Sequence, residues 1–421
     1  MKLSKLLRHW RWLGILSVVL ALLVWGAFDA WQTAERIRKS PVGKIYVADT
    51  FGDDVGVIDA VKGGLLRQIP TGKLPHNFAL ARKSGVLFVT ESGSQSVTAI
   101  DTVTDRKILQ RIVGPIPEVP AHKKLGMASV SKAPSCKTCH LQRPVGTFIS
   151  GIVLSPDESE LWVTEMKTGR VAVVDSKSLE TKRRILVETP SGTTPSNMLV
   201  HPVTGDVYVF ARLMKRLRGV EGVSDFLPAY KEQAAPSPGP PHSSVVRSTH
   251  GGFEHDPSAP GDSWIVVYDP TFNVVKAQIR VEFAVPYQGV FSPDGRELYV
   301  TYRSTNKVAV IDTVNFRFAR AYTTDEAPIG MVLAPDNDTL MVACFYQTPG
   351  TVVFLDRRTG ELKHRLVVPS SPSLLRKHPV NGLVYLSVSG ENRIVEIDPQ
   401  APKVLRIMDA GAFPVDLELV P

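Results

Sequence analysis

The sequence predicts an all-β protein, a seven-bladed β-propeller closed by its own terminal strands and preceded by one N-terminal transmembrane helix. Three observations carry this. A short β-rich run recurs seven times, a second apolar run ending in aspartate follows each copy, and the chain ends on a segment that completes its first repeat.

The first run reads Ile45-Tyr46-Val47-Ala48, Leu87-Phe88-Val89-Thr90, Leu161-Trp162-Val163-Thr164, Val207-Tyr208-Val209-Phe210, Leu298-Tyr299-Val300-Thr301, Leu340-Met341-Val342-Ala343 and Val384-Tyr385-Leu386-Ser387. Branched and aromatic residues at this density favour strands. The aspartates are Asp59, Asp101, Asp175, Asp269, Asp312, Asp356 and Asp398, at intervals of 42, 74, 94, 43, 44 and 42 residues. Two long intervals hold insertions, and the others share the period of a four-stranded blade. Ser292-Pro293-Asp294-Gly295 and Ser155-Pro156-Asp157 supply turn chemistry within the repeat. The chain enters its first blade near Lys44, at a second strand. Its last segment, Ala412 to Leu419, matches the first-strand pattern of segments such as Val285-Pro286-Tyr287-Gln288. Pairing the two ends removes the free sheet edge.

These repeats resemble the YVTN family of β-propellers, Tyr299-Val300-Thr301 coming nearest to the motif. The resemblance covers 44–421 apart from the insertions and implies the fold, while such propellers serve many functions. The Trp-Asp signature of WD40 blades, quinoprotein tryptophan motifs, a Gly-x-Ser-x-Gly elbow and a Walker loop are all missing.

Ahead of the propeller, residues 1–11 form a basic tip with Lys2, Lys5, Arg8 and Arg11, and 12–31 the expected anchor. An uncharged, mostly apolar stretch runs from Trp12 to Phe28, bracketed by Trp10, Trp12, Trp25 and Trp31 at places suited to the membrane interfaces. No small-x-small cleavage site follows well, so an uncleaved anchor is expected in preference to a removed signal peptide, with the basic tip in the cytoplasm and the propeller in the periplasm of a bacterial inner membrane. Residues 32–43 are a linker. Of the net charge of +8, four units belong to the tip. The remainder is too small and dispersed to suggest nucleic acid as a partner.

Chemistry enters with Cys136-Lys137-Thr138-Cys139-His140, the attachment signature of c-type haem. Two loop residues bring both thiols to one porphyrin edge, and the next residue lies beneath the ring to ligate iron. Cys344 is the only other cysteine, which excludes a Cys₄ zinc site. The motif lies in an insertion, 114–147, that is too small for a core of its own. One covalent haem c, held by Cys136, Cys139 and His140, is therefore expected to rest against the propeller or a redox partner. A second insertion, 212–263, is rich in proline and carries His242, His250 and His255.

Strands alternate in direction within a blade, so both insertions leave the same face. The innermost strands also begin there, in a ring of Val415, His76, Ser150, Ser196, Tyr287, Ile329 and Ser373. Among these His76 is the strong iron ligand and the first candidate for the distal position. Met127 and His122 come next, then His250 or His255; a five-coordinate iron or a ligand from another subunit are the alternatives. His201 and His378 fall in turns on the opposite face and His364 in an outer strand, places that suit structural roles, and Cys344 is expected in a buried strand. Lys123, Lys124, Lys132, Lys137 and Arg143 could steer an acidic redox partner or simply be solvated.

Three functions follow. The first is a membrane-anchored periplasmic monohaem cytochrome that passes electrons to or within a redox complex. The second rests on a similarity to the d1-haem propeller of cytochrome cd1 nitrite reductase and its biogenesis relatives. That resemblance implies a second, non-covalent tetrapyrrole over the channel, with His76, His250 or His255 acting on it. It departs in one respect, because the c-haem domain of cytochrome cd1 precedes its propeller. The third is a structural or binding subunit of a respiratory complex.

Overall fold

A computed structural model describes residues 43–114, 148–190, 194–212, 263–271, 274–281, 284–346 and 348–420. They form seven four-stranded antiparallel sheets. Blade two shows the order, innermost to outermost: Pro75–Ala81, Val86–Glu91, Ser96–Asp101 and Arg106–Ile112. The anchor expected over 12–31 lies outside the described residues, and among these no helix is long and apolar enough to cross a membrane.

Composition grades outward through each blade. Second and third strands are continuous apolar runs because both faces are covered by neighbouring blades, as in the fully buried Tyr46, Val47 and Ala48. Fourth strands face water and are mostly polar or charged, as in Arg106–Ile112. Between successive blades lies one apolar cluster each. The interface of blades one and two, for example, packs Tyr46, Val55 and Val57 on Phe78, Leu87 and Val89. The seventh cluster joins Tyr385 and Ile394 of blade seven to Ile45, Val47, Leu417 and Leu419 of blade one.

Blade one is the composite sheet the repeat predicts. Its innermost strand, Pro414–Val420, is the end of the described chain and pairs with Lys44–Asp49 in the register Lys44↔Val420 to Val47↔Leu417. All seven repeat aspartates end third strands. Each turns the chain with its carboxylate: Asp175 Oδ1 accepts the amides of Lys177 and Ser178 at 3.0 and 2.9 Å, and Asp356 Oδ1 those of Arg358 and Thr359. In the turn of blade five, Gly295 takes φ +72° and donates to Ser292 O.

Neighbouring innermost strands touch all the way round the channel. At Gly330 a Cβ would stand 2.1 Å from Ser373 O, so glycine is required by that approach. Hydroxyls stitch the blades at two levels. At the last position of the Tyr-Val-Thr run, Thr90, Thr164, Thr301 and Ser387 donate to Ser150 O, Ser196 O, Ile329 O and Val415 O on the next blade, at 2.7, 3.2, 2.9 and 2.8 Å. Blade four has Phe210 there, and Asn197 Nδ2 reaches Tyr287 O instead, at 3.2 Å. Two residues further on, Thr50, Ser92 and Ser389 donate to Pro75 O, Ile149 O and Pro414 O at 2.8, 2.6 and 2.6 Å. These bonds satisfy inner-strand carbonyls that the blade's own sheet leaves open.

The second insertion narrows by one residue at each end. Arg212 closes the second strand of blade four and Ser263 opens its third, so the insertion spans 213–262. Val113 follows the fourth strand of blade two, which ends at Ile112, and is buried between blades two and three.

Candidate functional site at the channel mouth

Both insertions leave the propeller where the innermost strands begin. Register shows this directly: Pro75, the start of an inner strand, pairs with Glu91, the end of its neighbour, while Thr194 pairs with Arg212, the last residue before the second insertion. The insertion with the haem motif starts beside Gly114, whose amide donates to Gln95 O in the same hairpin. His76, Ser150, Ser196, Tyr287, Ile329, Ser373 and Val415 form one level here, each the second residue of its inner strand or, for Ser196, the third.

His76 is half-buried. Its Nδ1 lies 2.7 Å from Asn77 Oδ1, and Asn77 Nδ2 is turned toward Asp416 Oδ2 at 3.5 Å. Asp416 is held in turn by the Phe78 amide at 3.1 Å and by Arg376 at 2.7 Å. With the Asn77 oxygen as acceptor, Nδ1 carries the proton and Nε2 keeps its lone pair. Burial lowers the pKa of His76, and the charge of Arg212 adds to this against the opposing pull of Asn77 and Asp416. A neutral imidazole whose Nε2 has no hydrogen-bond partner among the described residues is what a metal ligand or general base requires.

Across the mouth stands a cationic and aromatic group. The Arg212 guanidinium carbon is 4.5 Å from the centroid of the Tyr287 ring, and its Nε donates to Pro286 O at 3.0 Å. Arg303 lies 5.9 Å from Tyr287, 5.7 Å from Phe345 and 4.9 Å from Tyr346, and its Nη2 donates to the Tyr346 hydroxyl. Ile329, Phe345 and Leu374 make an apolar floor with Tyr287 and Tyr346 packed against it. Burial, then the like charge of Arg303, lowers the pKa of Arg212 to about 10.

Blade one contributes a buried acid on the same face. Asp49 ends its strand opposite Asp54 and is fully buried. Burial and then the Asp54 carboxyl push it up to about 8, with the Gly56 and Gly411 amides pulling partway back. Gly411 belongs to the turn before the closing strand, which Phe51 and Phe413 also clasp, their rings stacked at 4.6 Å.

Of the residues singled out in the sequence, the fold brings His76 and Tyr287 to one mouth. Cys136, Cys139, His140, Met127, His122, His242, His250 and His255 lie outside the described residues, as do the lysines of the first insertion. Among the described residues no group of three or more His, Cys, Asp or Glu side chains could hold a metal. His201 and His378 cap their turns, accepting amides on Nδ1 from Val203 and Thr204, and from Val380 and Asn381. His364 is in the outer strand Leu362–Val368, and Cys344 is buried. Sequence reasoning missed Arg212 and Arg303. The repeat held the signal: the column Thr50, Ser92, Met166, Arg212, Arg303, Phe345 and Ser389 places two arginines where hydroxyls latch the blades.

No protein-family model matches the chain, and no curated protein does. Solved structures do match. The periplasmic gluconolactonase PpgL of Pseudomonas aeruginosa is 17% identical with a TM-score of 0.58, covering 90% of this chain and 99% of that one. The hydrazine synthase of Kuenenia stuttgartiensis is 16% identical at 0.57, covering 85% and 93%. The dihydro-heme d1 dehydrogenase NirN, solved in complex with DHE, is 13% identical at 0.56, covering 90% and 75%. At these identities the likeness is one of architecture: the chain is a seven-bladed β-propeller of the kind found in all three.

Proposed function

We propose that this chain is an exported, membrane-anchored c-type haem protein whose propeller mouth serves a tetrapyrrole-based redox reaction, passing single electrons to or within a partner complex. The observation that carries it is the placement of Cys136-Lys137-Thr138-Cys139-His140 in an insertion that leaves the propeller on the face where His76 stands at the start of its inner strand. Cys136 and Cys139 would hold haem through thioethers, and His140 would ligate the iron. When bound, the haem supplies a one-electron couple, which the protein tunes through its axial ligand and the bonds to that ligand. The chain's own residues then have defined tasks. Asn77 and Asp416 orient His76, burial keeps it neutral, and the Arg212–Tyr287–Arg303 group sets a positive potential over the channel.

A second reading is favoured by the architecture shared with NirN, which acts on dihydro-heme d1. Here the mouth would take a second, non-covalent tetrapyrrole. One experiment separates the two. The full chain is produced in a host that matures c-type haem, extracted with acidified acetone, and examined as pyridine haemochrome. Haem retained in the pellet with a c-type spectrum, and lost in Cys136→Ser/Cys139→Ser, supports the cytochrome. An additional green, extractable pigment supports the second reading, and a colourless pellet refutes the haem assignment.

A further inference from the structure

We propose that Arg212 and Arg303 form an oxyanion clamp at the channel mouth that takes a carboxylate or phosphate group of a small ligand lying against Tyr287. The inference does not depend on whether the chain carries haem.

It begins with an exception. Three partly buried arginines elsewhere in this propeller are neutralised. Arg184 pairs with Glu165 at 2.9 Å, Arg376 with Asp416 at 2.7 Å, and Arg406 with Glu396 at 2.5 Å, each against a fully or almost fully buried carboxylate. Guanidinium groups leave water only with such partners. Arg212 departs from this rule. It is half-buried, yet its bonds among the described residues are the one from Nε to Pro286 O and the contact with the Tyr287 face. A ring face offsets part of a cation's lost hydration, and less of it than a carboxylate does.

The repeat explains how the charge arose. Arg212 and Arg303 occupy the column in which Thr50, Ser92 and Ser389 latch one blade to the next. Arg212 keeps the latch through Nε, donating to the carbonyl of Pro286, which stands at the same place as Pro75, Ile149 and Pro414. A hydroxyl would complete that task alone. The guanidinium adds the Nη1 and Nη2 donors, which the latch does not use.

Arg303 stands in the same column one blade on. Both guanidinium carbons lie within reach of one ring, at 4.5 and 5.9 Å from the Tyr287 centroid, and the like charge of Arg303 acts on the half-buried Arg212. An anion on the Nη donors of Arg212, within reach of Arg303, offsets that like charge and supplies the oxyanion partner that Arg212 lacks among the described residues, and the planar fork of arginine matches carboxylate and phosphate oxygens. The floor of Ile329, Phe345 and Leu374 suits a ligand whose body is apolar.

The test is isothermal titration of the full chain with citrate, inorganic phosphate and acetate at low salt, repeated at higher salt. We expect saturable one-to-one binding of at least one probe, weakening as salt rises, and weaker by tenfold or more in Arg212→Gln and in Arg303→Gln. Arg212→Lys should retain part of the affinity, since charge remains while the fork is lost. Arg317→Gln, on an exposed outer strand, controls for net charge and should bind as the parent does. Citrate alone binding identifies a carboxylate ligand, phosphate alone a phosphate ester, and both an unselective oxyanion clamp; each supports the proposal. Unchanged affinity in both mouth variants, an equal loss in Arg317→Gln, or no saturation by about 10 mM of any probe overturns it. If Arg212→Gln fails to fold, Arg303→Gln and Arg212→Lys decide the question.

Discussion

Replacing Asp49 by asparagine should stabilise the propeller, and most strongly at neutral to alkaline pH. Asp49 sits at the seam where the closing strand meets the first described strand, with Asp54 opposite and the Gly411 turn against it. Its pKa is pushed from 3.8 to about 8, first by burial and then by Asp54. At pH 7 the folded carboxyl holds a proton that the unfolded chain has released, which costs about 4 kcal/mol at ~1.4 kcal/mol per pH unit. The sign follows from the raised pKa. Stability is greatest below the unfolded value near 4, declines as pH rises toward 8, and is level beyond it. Asparagine keeps the shape and neutrality of the protonated acid and offers Asp54 an N–H donor. The variant should gain about 2–4 kcal/mol at pH 7 and lose most of this pH slope. Urea unfolding of the full chain at pH 5, 7 and 9 measures both quantities. A variant that is less stable than the parent at every pH, with the slope intact, would show that Asp49 is ionised and well solvated, and the reasoning would fail.

Thr301→Val removes the hydroxyl that bonds Ile329 O across the interface of blades five and six and leaves that buried carbonyl unpaired. It should cost about 1–3 kcal/mol in the same assay, and an effect within a few tenths of zero would argue against the latch. Asp175 is held down to about 2, chiefly by the Ser178 amide and then by Lys182, so its contribution is present above pH ~4 and fades as pH falls through 2. Carboxyl NMR titration checks that midpoint, and an ordinary value near 4 would remove the turn-forming role. If His76 ligates iron, His76→Ala will alter the Soret and near-infrared bands and the midpoint potential of the haem-loaded chain. An unchanged spectrum and potential would assign the distal position elsewhere.

Much of this architecture was legible in the repeat. The seven aspartates foretold the ends of seven third strands, and the segment from Ala412 foretold the seam with Lys44–Asp49. Such features are local, since an aspartate that turns its own chain, or a run buried on both faces, needs no information from distant residues. His76 at the mouth was legible as well, because a constant period converts position along the chain into height along the channel. The Asn77–Asp416 support of His76 joins residues 339 positions apart, and nothing in either segment announces the other.

Arg212 and Arg303 mark the limit between the two kinds of information. Their shared column could be read from the alignment of blades, and their charge from composition. That Arg212 lacks a carboxylate among the described residues while Arg184, Arg376 and Arg406 have one depends on which acids the ring closure brings near. Asp49 is the same case: its neighbour Asp54 is close in sequence, but its burial comes from Gly411 and the closing strand at the other end of the described chain. Periodicity determined how many blades form and which residues line each level, because strand pairing and turn chemistry are local. Closure of the ring decided which charges meet and which are left alone, because electrostatics in a buried site depends on distance in space, whatever the distance along the chain.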